Sequence, residues 1–235
     1  MTKNDLPRVL IATPIYDKKD YSLDTFLQDV GKISYPNYEH ILIDNSATEE
    51  YAESLKARGI QNVYHIKRGS NSREALARAQ NFARHYALDH GFDYMFSLES
   101  DIHPPADVIQ RLLIHNKEVI TGLYMIGIGV DVPCITITEW VPKLMANGTR
   151  LLTKEEADEV KKGMGLIPVH AGGFGCCLIK KEILEMFSFR YDPRFQSHSD
   201  VYFFSDLYTA GIQAWVDTDI VCEHERSDWN KVEDR

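Results

Sequence analysis

The sequence predicts an α/β fold, built as a single domain with a mainly parallel central sheet and helices on both faces. Short apolar runs of β character alternate with longer segments of helical spacing through the first hundred residues. This is the rhythm of a parallel sheet with crossover helices. The chain has 235 residues and contains no repeat and no Pro/Gly/Ser-rich linker. This length suits one large α/β domain.

The strands of the first half are short and apolar. They are predicted at residues 8–12, 40–43, 62–66 and 94–98, with helices at 22–33 and 48–58. A third, longer helix is expected between Asn71, whose spacing from Glu74 predicts a capping pair, and Gly91. Polar residues follow these strands, and ligands of such sheets bind beyond the carboxyl ends of the strands. A ligand site is therefore expected at that edge.

The second half is less regular. Strands are predicted at residues 119–125, 134–138, 170–180 and 214–221, and helices at 154–162, 181–187 and 200–210. Residues 131–169 match no motif.

Composition excludes several classes of protein. The formal net charge of −9 argues against nucleic acid as a main partner, because phosphate backbones need a basic face. A local basic pocket for a small phosphorylated ligand is still compatible with it. The polar first eight residues show no secretory signal, and the longest apolar stretch, residues 119–130, is too short to span a bilayer. We therefore expect no transmembrane segment.

The cysteines predict a reducing compartment. They are Cys134, Cys176, Cys177 and Cys222, and none stands in a C-x-x-C pair. Cys176 and Cys177 lie in an apolar run, where neighbouring side chains of a strand point to opposite faces. We expect four reduced thiols packed as small hydrophobic residues, and a cytoplasmic location.

The sharpest chemical feature follows the strand at 94–98. Glu99 and Asp101 are two carboxylates two residues apart, directly after an apolar run. They repel each other unless a cation or protons lie between them. A hard divalent ion that also contacts a diphosphate would resolve this. The alternative is an acidic turn before a helix that starts near Pro105.

Two more residues have both a chemical and a structural interpretation. His224 follows the last predicted strand and could complete a metal site with the carboxylates, or it could be a structural histidine. Asp200 opens the helix at 200–210 and could be a general base or an N-cap. The sequence spacing does not distinguish the chemical interpretation of these two residues from the structural one.

Together these features resemble the GT-A glycosyltransferases of the family-2-like type. The matching motifs of the nucleotide-binding half are, in chain order, residues 12–16 (ATPIY), 43–46 (IDNS), 79–81 (AQN) and 99–101 (ESD). Asp200 and Gly211 have the separation of the E-D…G helix of that family, and a strand and a histidine follow, as at residues 214–224. The glycine-rich run at 172–175 resembles its acceptor-side strand. The resemblance covers nearly the whole chain.

The resemblance implies a role for each matching residue. The nucleotide sugar would contact Thr13, Pro14, Tyr16, Asp44, Arg73, Asn81, Glu99 and Ser100. A divalent metal ion, Mn²⁺ or Mg²⁺, would be held by Asp101, His224 and Glu99. Asp200 would be the catalytic base of an inverting transfer from a UDP- or GDP-sugar to a carbohydrate or other hydroxyl acceptor. Residues 1–103 would form the nucleotide-sugar-binding half and residues 104–235 the acceptor-binding half of one domain.

The acceptor is expected near Gly172, Gly173 and Trp140. The aromatic face of Trp140 suits stacking on a sugar ring, although a core position in a hairpin is an equal alternative. Residues 131–169 would shape the same site.

Three positions depart from the pattern of the family. The first acid of its D-x-D motif is Glu99, the arginine of its A-R-N helix is Gln80, and the first acid of its E-D pair is Ser199. These departures leave Asp101 and Asp200 as the better-matched acids.

Three other classes of protein fit less well. A sugar-phosphate nucleotidyltransferase would need a glycine-rich loop after the first strand, where this chain has Thr13 and Pro14. A dehydrogenase of the Rossmann type would need G-x-G-x-x-G there. A non-catalytic nucleotide-sugar-binding domain is the third, and the retained Asp101, Asp200 and His224 count against it.

Overall fold

Strands and helices alternate along most of the chain in the computed structural model, which describes residues 5–126, 132–141, 146–195 and 197–226. The strands are β1 Val9–Ile15, β2 Tyr38–Asp44, β3 Val63–His65, β4 Tyr94–Leu98, β5 Ile102–His103, β6 Val119–Leu123, β7 Met125–Ile126, β8 Val132–Pro133, β9 Ile135–Val141, β10 Ala146–Leu151, β11 Leu166–Val169, β12 Ala171–Gly172, β13 Cys176–Lys180, β14 Ala214–Val221 and β15 Glu223–His224. The helices are α1 Asp20–Val30, α2 Glu50–Ala57, α3 Ser72–Asp89, α4 Val108–Ile114, α5 Lys154–Val160, α6 Lys181–Met186 and α7 Ser199–Thr209, with a 3-10 turn at Asp17–Lys19.

Within the described ranges, eight strands form the central sheet, in the order β11-β14-β6-β13-β4-β1-β2-β3. The pairs β1–β2, β2–β3, β1–β4 and β6–β14 are parallel. Strand β13 runs antiparallel between β4 and β6, and β11 is antiparallel at the edge. The predicted mainly parallel α/β sheet is thus confirmed, with one central strand inserted in the opposite direction.

Both faces of this sheet are covered by helices, as predicted. Side chains alternate along β1, so Val9 packs on one face with Phe26 of α1, and Leu10 packs on the other with Ala83 of α3. A strand buried on both faces needs apolar residues at every position. This explains the continuous apolar runs from which the strands were predicted.

The cysteines are all thiols, and their placement agrees with the prediction. Cys176 packs in the core on one face of the sheet and Cys177 in the core on the other face. Cys222 is also buried, and Cys134 is partly buried. Among the described residues, no helix has the length and apolar character that crossing a bilayer requires.

One strand pairing and one backbone hydrogen bond outside the main sheet position the site. Strand β15 pairs antiparallel with β5, with His224 opposite Ile102. The backbone N–H of Glu225 donates to the carbonyl oxygen of Asp101 at 2.8 Å. The C-terminal strand is thereby fixed against the loop that leaves β4.

Candidate functional site

The acidic sequence that follows β4 lies at the carboxyl end of the parallel strands. Asp101 and Ser100 are 0% and 1% exposed, and Glu99 is partly buried. The Ser100 hydroxyl is buried and makes no hydrogen bond with any described residue. The loop therefore directs its polar groups inward, unlike an ordinary surface turn.

His224 reaches this loop from the opposite end of the chain. Its Nε2 lies 3.6 Å from Asp101 Oδ2, and its Nδ1 donates a hydrogen bond to the Met125 carbonyl oxygen at 2.7 Å. The Met125 bond fixes the imidazole so that Nε2 faces the carboxylate. Burial works against the imidazolium, but Asp101 and the Met125 carbonyl outweigh it and raise the pKa of His224.

Lys19, which the sequence analysis did not select, completes the cluster. Its Nζ donates a hydrogen bond to Asp101 Oδ2 at 2.7 Å, and its side chain is 20% exposed. Burial opposes the ionisation of Asp101, but the charges of Lys19 and His224 outweigh it, so the pKa of Asp101 lies below its ordinary value. The available signal was the charged run 17–20, directly after β1, at the predicted ligand edge.

Glu99 and Asp200 belong to the same electrostatic environment. Burial raises the pKa of Glu99, and the negative charges of Asp101 and Asp200 raise it further against the opposing charge of Lys19. Burial also raises the pKa of Asp200. The site thus combines one strongly ionised acid, Asp101, with two acids that are held less firmly as carboxylates.

Asp200 is not the N-cap of its helix. Helix α7 begins at Ser199, its N-cap is His198, and no side chain caps it. Asp200 is the second residue of α7, and its Oδ1 accepts a hydrogen bond from the Val201 N–H at 2.7 Å. A carboxylate in the first turn is stabilised by the helix dipole. The start of a helix therefore favours an acid at position 200. The Asp200 carboxylate can accept further hydrogen bonds besides the one from Val201.

Asp44 closes β2 at the other side of the same edge. It is 0% exposed, and its oxygens accept hydrogen bonds from the Ser46 N–H at 2.9 Å and from His65 Nδ1 at 2.8 Å. A nucleobase N–H would have to use the second lone pair of one of these oxygens. The contact of Asp44 with a base stays a prediction.

The end of β1 contributes one buried residue and two partly exposed ones. Thr13 is fully buried and its Oγ1 hydrogen-bonds His40 Nε2 at 3.0 Å, whereas Pro14 and Tyr16 are partly exposed. The guanidinium of Arg68 lies over the Tyr16 ring, 5.1 Å from its centroid. Arg68 is a cation near the predicted base site that the sequence analysis did not select.

Two predicted residues of α3 have different surroundings. The Asn81 side chain exchanges hydrogen bonds with both the N–H and the carbonyl of Phe189. It therefore holds the loop before α7. The Nε of Arg73 is buried and makes no hydrogen bond within the described part of the chain. Their contacts with a nucleotide sugar stay predictions.

The acceptor-side glycines are buried and close-packed. A Cβ at Gly172 would lie 2.9 Å from the Thr121 side chain. A Cβ at Gly173 would stand closer to the Tyr124 hydroxyl than any real contact allows. This packing explains why glycine is needed at both positions, and their contact with an acceptor stays a prediction. Trp140 lies in β9 opposite Asn147, but its side chain is outside the described residues.

The donor set at Asp101 fits a divalent cation that a substrate helps to hold. Among the described residues, no group of three His, Cys, Asp or Glu side chains has metal-binding geometry. Asp101 and His224 nevertheless form a carboxylate–imidazole pair whose second imidazole nitrogen is held by a carbonyl, as is usual for metal-binding histidines. Mg²⁺-type sites commonly use one or two protein ligands and complete the shell with phosphate oxygens and water.

Comparison with known proteins gives the class of fold. No protein-family profile and no curated protein sequence matches this chain. The crystal structure of A197 from STIV is 17% identical over 93% of this chain and 85% of its own, with a TM-score of 0.50. The crystal structure of GalNAc-T7 with UDP, GalNAc and Mn²⁺ is 16% identical and has a TM-score of 0.66.

The likeness to GalNAc-T7 covers 94% of this chain and 44% of that protein. At such identities a structural likeness shows the fold alone. The predicted GT-A type of α/β fold is confirmed.

Proposed function

We propose that this chain is a nucleotide-sugar glycosyltransferase that uses a divalent cation, Mn²⁺ or Mg²⁺. The observation that carries the proposal is the buried Asp101–His224 pair at the carboxyl end of β4, with His224 Nε2 turned toward the carboxylate. The GT-A fold and the UDP and Mn²⁺ in the GalNAc-T7 structure support it. The motif order supports a family-2-like member with the three departures described above.

The donor would be a UDP- or GDP-sugar bound along the carboxyl edge of the sheet. Tyr16 and Arg68 would contact the base, and Asp101 and His224 would hold the cation. When bound, such a cation neutralises charge on the diphosphate leaving group. Glu99 would lie beside the diphosphate or the ribose.

Asp200 would act on the acceptor. The acceptor hydroxyl oxygen forms a bond to the anomeric carbon, the bond from that carbon to the diphosphate oxygen breaks, and the hydroxyl proton passes to the Asp200 carboxylate. An attack on the face opposite the leaving group inverts the anomeric configuration. Burial raises the pKa of Asp200, which makes it a stronger base than an ordinary aspartate.

Calorimetric titration tests the donor site. UDP and GDP should bind the wild-type chain in the presence of Mn²⁺ and much more weakly in its absence. Asp101→Asn keeps the size of the side chain and removes the charge, so Mn²⁺-dependent binding should be lost while the protein stays folded. Asp107→Asn, an exposed aspartate just before α4, is the matched control and should bind like wild type.

The proposal fails if Asp101→Asn binds both nucleotides with wild-type affinity in Mn²⁺. Hydrolysis or transfer of the sugar distinguishes an enzyme from a domain that only binds nucleotide sugars. A chain that binds UDP-sugar with Mn²⁺ but releases no free sugar, with or without acceptors, would be a binding domain.

A further inference from the structure

Lys19 lies closer to the Asp101 carboxylate than His224 does. Lys19 lies in the 3-10 turn between β1 and α1, and its Nζ is 2.7 Å from Asp101 Oδ2. That oxygen is also the one that faces His224 Nε2 at 3.6 Å. The buried Asp101 Oδ2 therefore lies next to the Lys19 ammonium and the His224 imidazole at the same time.

A divalent cation at this oxygen would compete with the ammonium of Lys19. Oxygen ligands lie about 2.0–2.6 Å from Mg²⁺ or Ca²⁺. With Nζ 2.7 Å from Asp101 Oδ2, the two cations would stand at most about 5 Å apart. Asp101 is fully buried, so little water would screen their repulsion. Both cations cannot share Asp101 Oδ2 without a large cost.

The Lys19 side chain is able to move away from Asp101. It is a flexible chain with four methylene groups and three donors on its end, and it is one-fifth exposed, so it already borders the open edge of the site. Beside it the Tyr21 hydroxyl is buried and makes no hydrogen bond with any described residue. The negative charge of Glu99 also acts on the Lys19 ammonium. An anionic ligand beside Lys19 would therefore have the ammonium and the Tyr21 hydroxyl as donors, with Glu99 as the opposing negative charge.

We propose that Lys19 is a second cationic group of the donor site, which pairs with Asp101 in the metal-free chain and turns to the donor diphosphate when a divalent cation takes Asp101. The inference rests on the proposed function and assigns a residue that the motif resemblance does not include. The diphosphate would bring negative charge to a site that already holds Glu99, Asp101 and Asp200. A lysine beside the cation offsets that charge without leaving Asp101 unpaired between turnovers.

The test measures two affinities that should move in opposite directions. Lys19→Met keeps the unbranched shape and removes the charge. Without nucleotide, Lys19→Met should bind Mn²⁺ about tenfold more tightly than wild type, because its competitor for Asp101 is gone. With Mn²⁺ saturating, it should bind UDP about tenfold more weakly, the loss expected for one hydrogen bond to a charged group. Lys18→Met, at the exposed neighbour in the same turn, should match wild type in both titrations.

Each alternative gives a different pattern. A purely structural lysine predicts that Lys19→Met loses stability and both affinities together, and either that result or two unchanged affinities overturns the inference. If Lys19→Met does not fold, Lys19→Arg is measured, which should keep UDP affinity within about threefold; a tenfold loss would overturn the inference. A wild-type chain that binds neither Mn²⁺ nor UDP overturns the proposed function and this inference with it.

Discussion

The Ser199 hydroxyl donates a hydrogen bond to the side-chain oxygen of Gln80 at 2.5 Å, and both residues are buried. These are two of the positions at which the sequence departs from the family-2-like pattern, which has an arginine and an acid there. The departures are in direct contact between α3 and α7. A buried acid at position 199 without a cation at position 80 would lack compensation, so the two neutral residues form a consistent pair.

This contact predicts that the two positions are coupled in stability. Gln80→Arg and Ser199→Glu should each lower the free energy of unfolding, because each buries an unpaired charge. The double variant should be more stable than the sum of the two losses implies, by about 0.5–3 kcal/mol. Urea denaturation of the four proteins measures the coupling. Gln80→Arg combined with Ser205→Glu, at an exposed position of α7, should show additive losses; equal coupling in both pairs would contradict the direct contact.

The second prediction concerns Asp200 as a base. Asp200→Asn should lower kcat by about 10²–10⁴-fold, the usual contribution of a general base. UDP binding in Mn²⁺ should stay near wild type, because the proposed role of Asp200 is on the acceptor and not on the donor. Asp206→Asn on the same helix is the control and should change kcat little, since it removes only a surface ion pair with Arg190.

Stereochemistry provides an independent check on Asp200. The anomeric configuration of the product, followed by NMR, should be inverted relative to the donor. Retention of configuration would exclude a simple base mechanism, even if Asp200→Asn is slow. A drop in unfolding temperature with kcat preserved in the folded fraction would instead make Asp200 a structural residue of α7.

The third prediction is a pH dependence that comes from His40. Burial lowers the pKa of His40 from 6.5 to about 4, so between these values the unfolded chain binds a proton that the folded chain does not. Stability due to the neutral histidine is therefore present above pH 6.5 and falls as the pH drops toward 4. The wild-type free energy of unfolding should fall more steeply in this window than that of His40→Gln, by at most about 1.4 kcal/mol per pH unit.

The control for this pH dependence is His85→Gln, at an exposed position of α3. It should keep the wild-type slope between pH 4 and 6.5. Identical slopes for wild type and His40→Gln would mean that His40 takes up its proton equally in the folded and unfolded chains. Burial would then not hold His40 neutral in the folded chain.

The elements that sequence analysis predicted best are those whose signal is local. Strands β4 and β14 have the predicted bounds. β4 is a short apolar run that stops before Glu99, and β14 begins just after Gly211, which ends the preceding helical segment. Strands β10 and β11 were not predicted. β10 has few apolar residues, and β11 contains Pro168, which an edge strand tolerates because its N–H is not needed. The antiparallel direction of β13 has no local signal, since direction depends on where the chain enters the sheet.

The candidate site was predictable where residues follow strands. Glu99, Ser100 and Asp101 could be selected because they end an apolar run, and His224 because it follows the last strand. Lys19 and Arg68 have a weaker signal, because a lysine or arginine in a loop after a strand is common and its partner is distant in sequence. The predicted strand at 170–180 divides into β12 and β13, and between them the Gly175 N–H donates a hydrogen bond to the Tyr124 hydroxyl at 3.1 Å.

The pairing of β15 with β5 also sets an order of events during synthesis. Strands β1 to β4 are synthesised first, so Lys19 and Asp101 are both present in the chain well before His224. His224 is made more than a hundred residues later, and the strand that carries it has no place to pair until β5 is formed. In a nascent chain, Asp101 would therefore pair with Lys19 alone until β15 has been synthesised and has paired with β5. The imidazole side of the site would be completed only in molecules translated past residue 224.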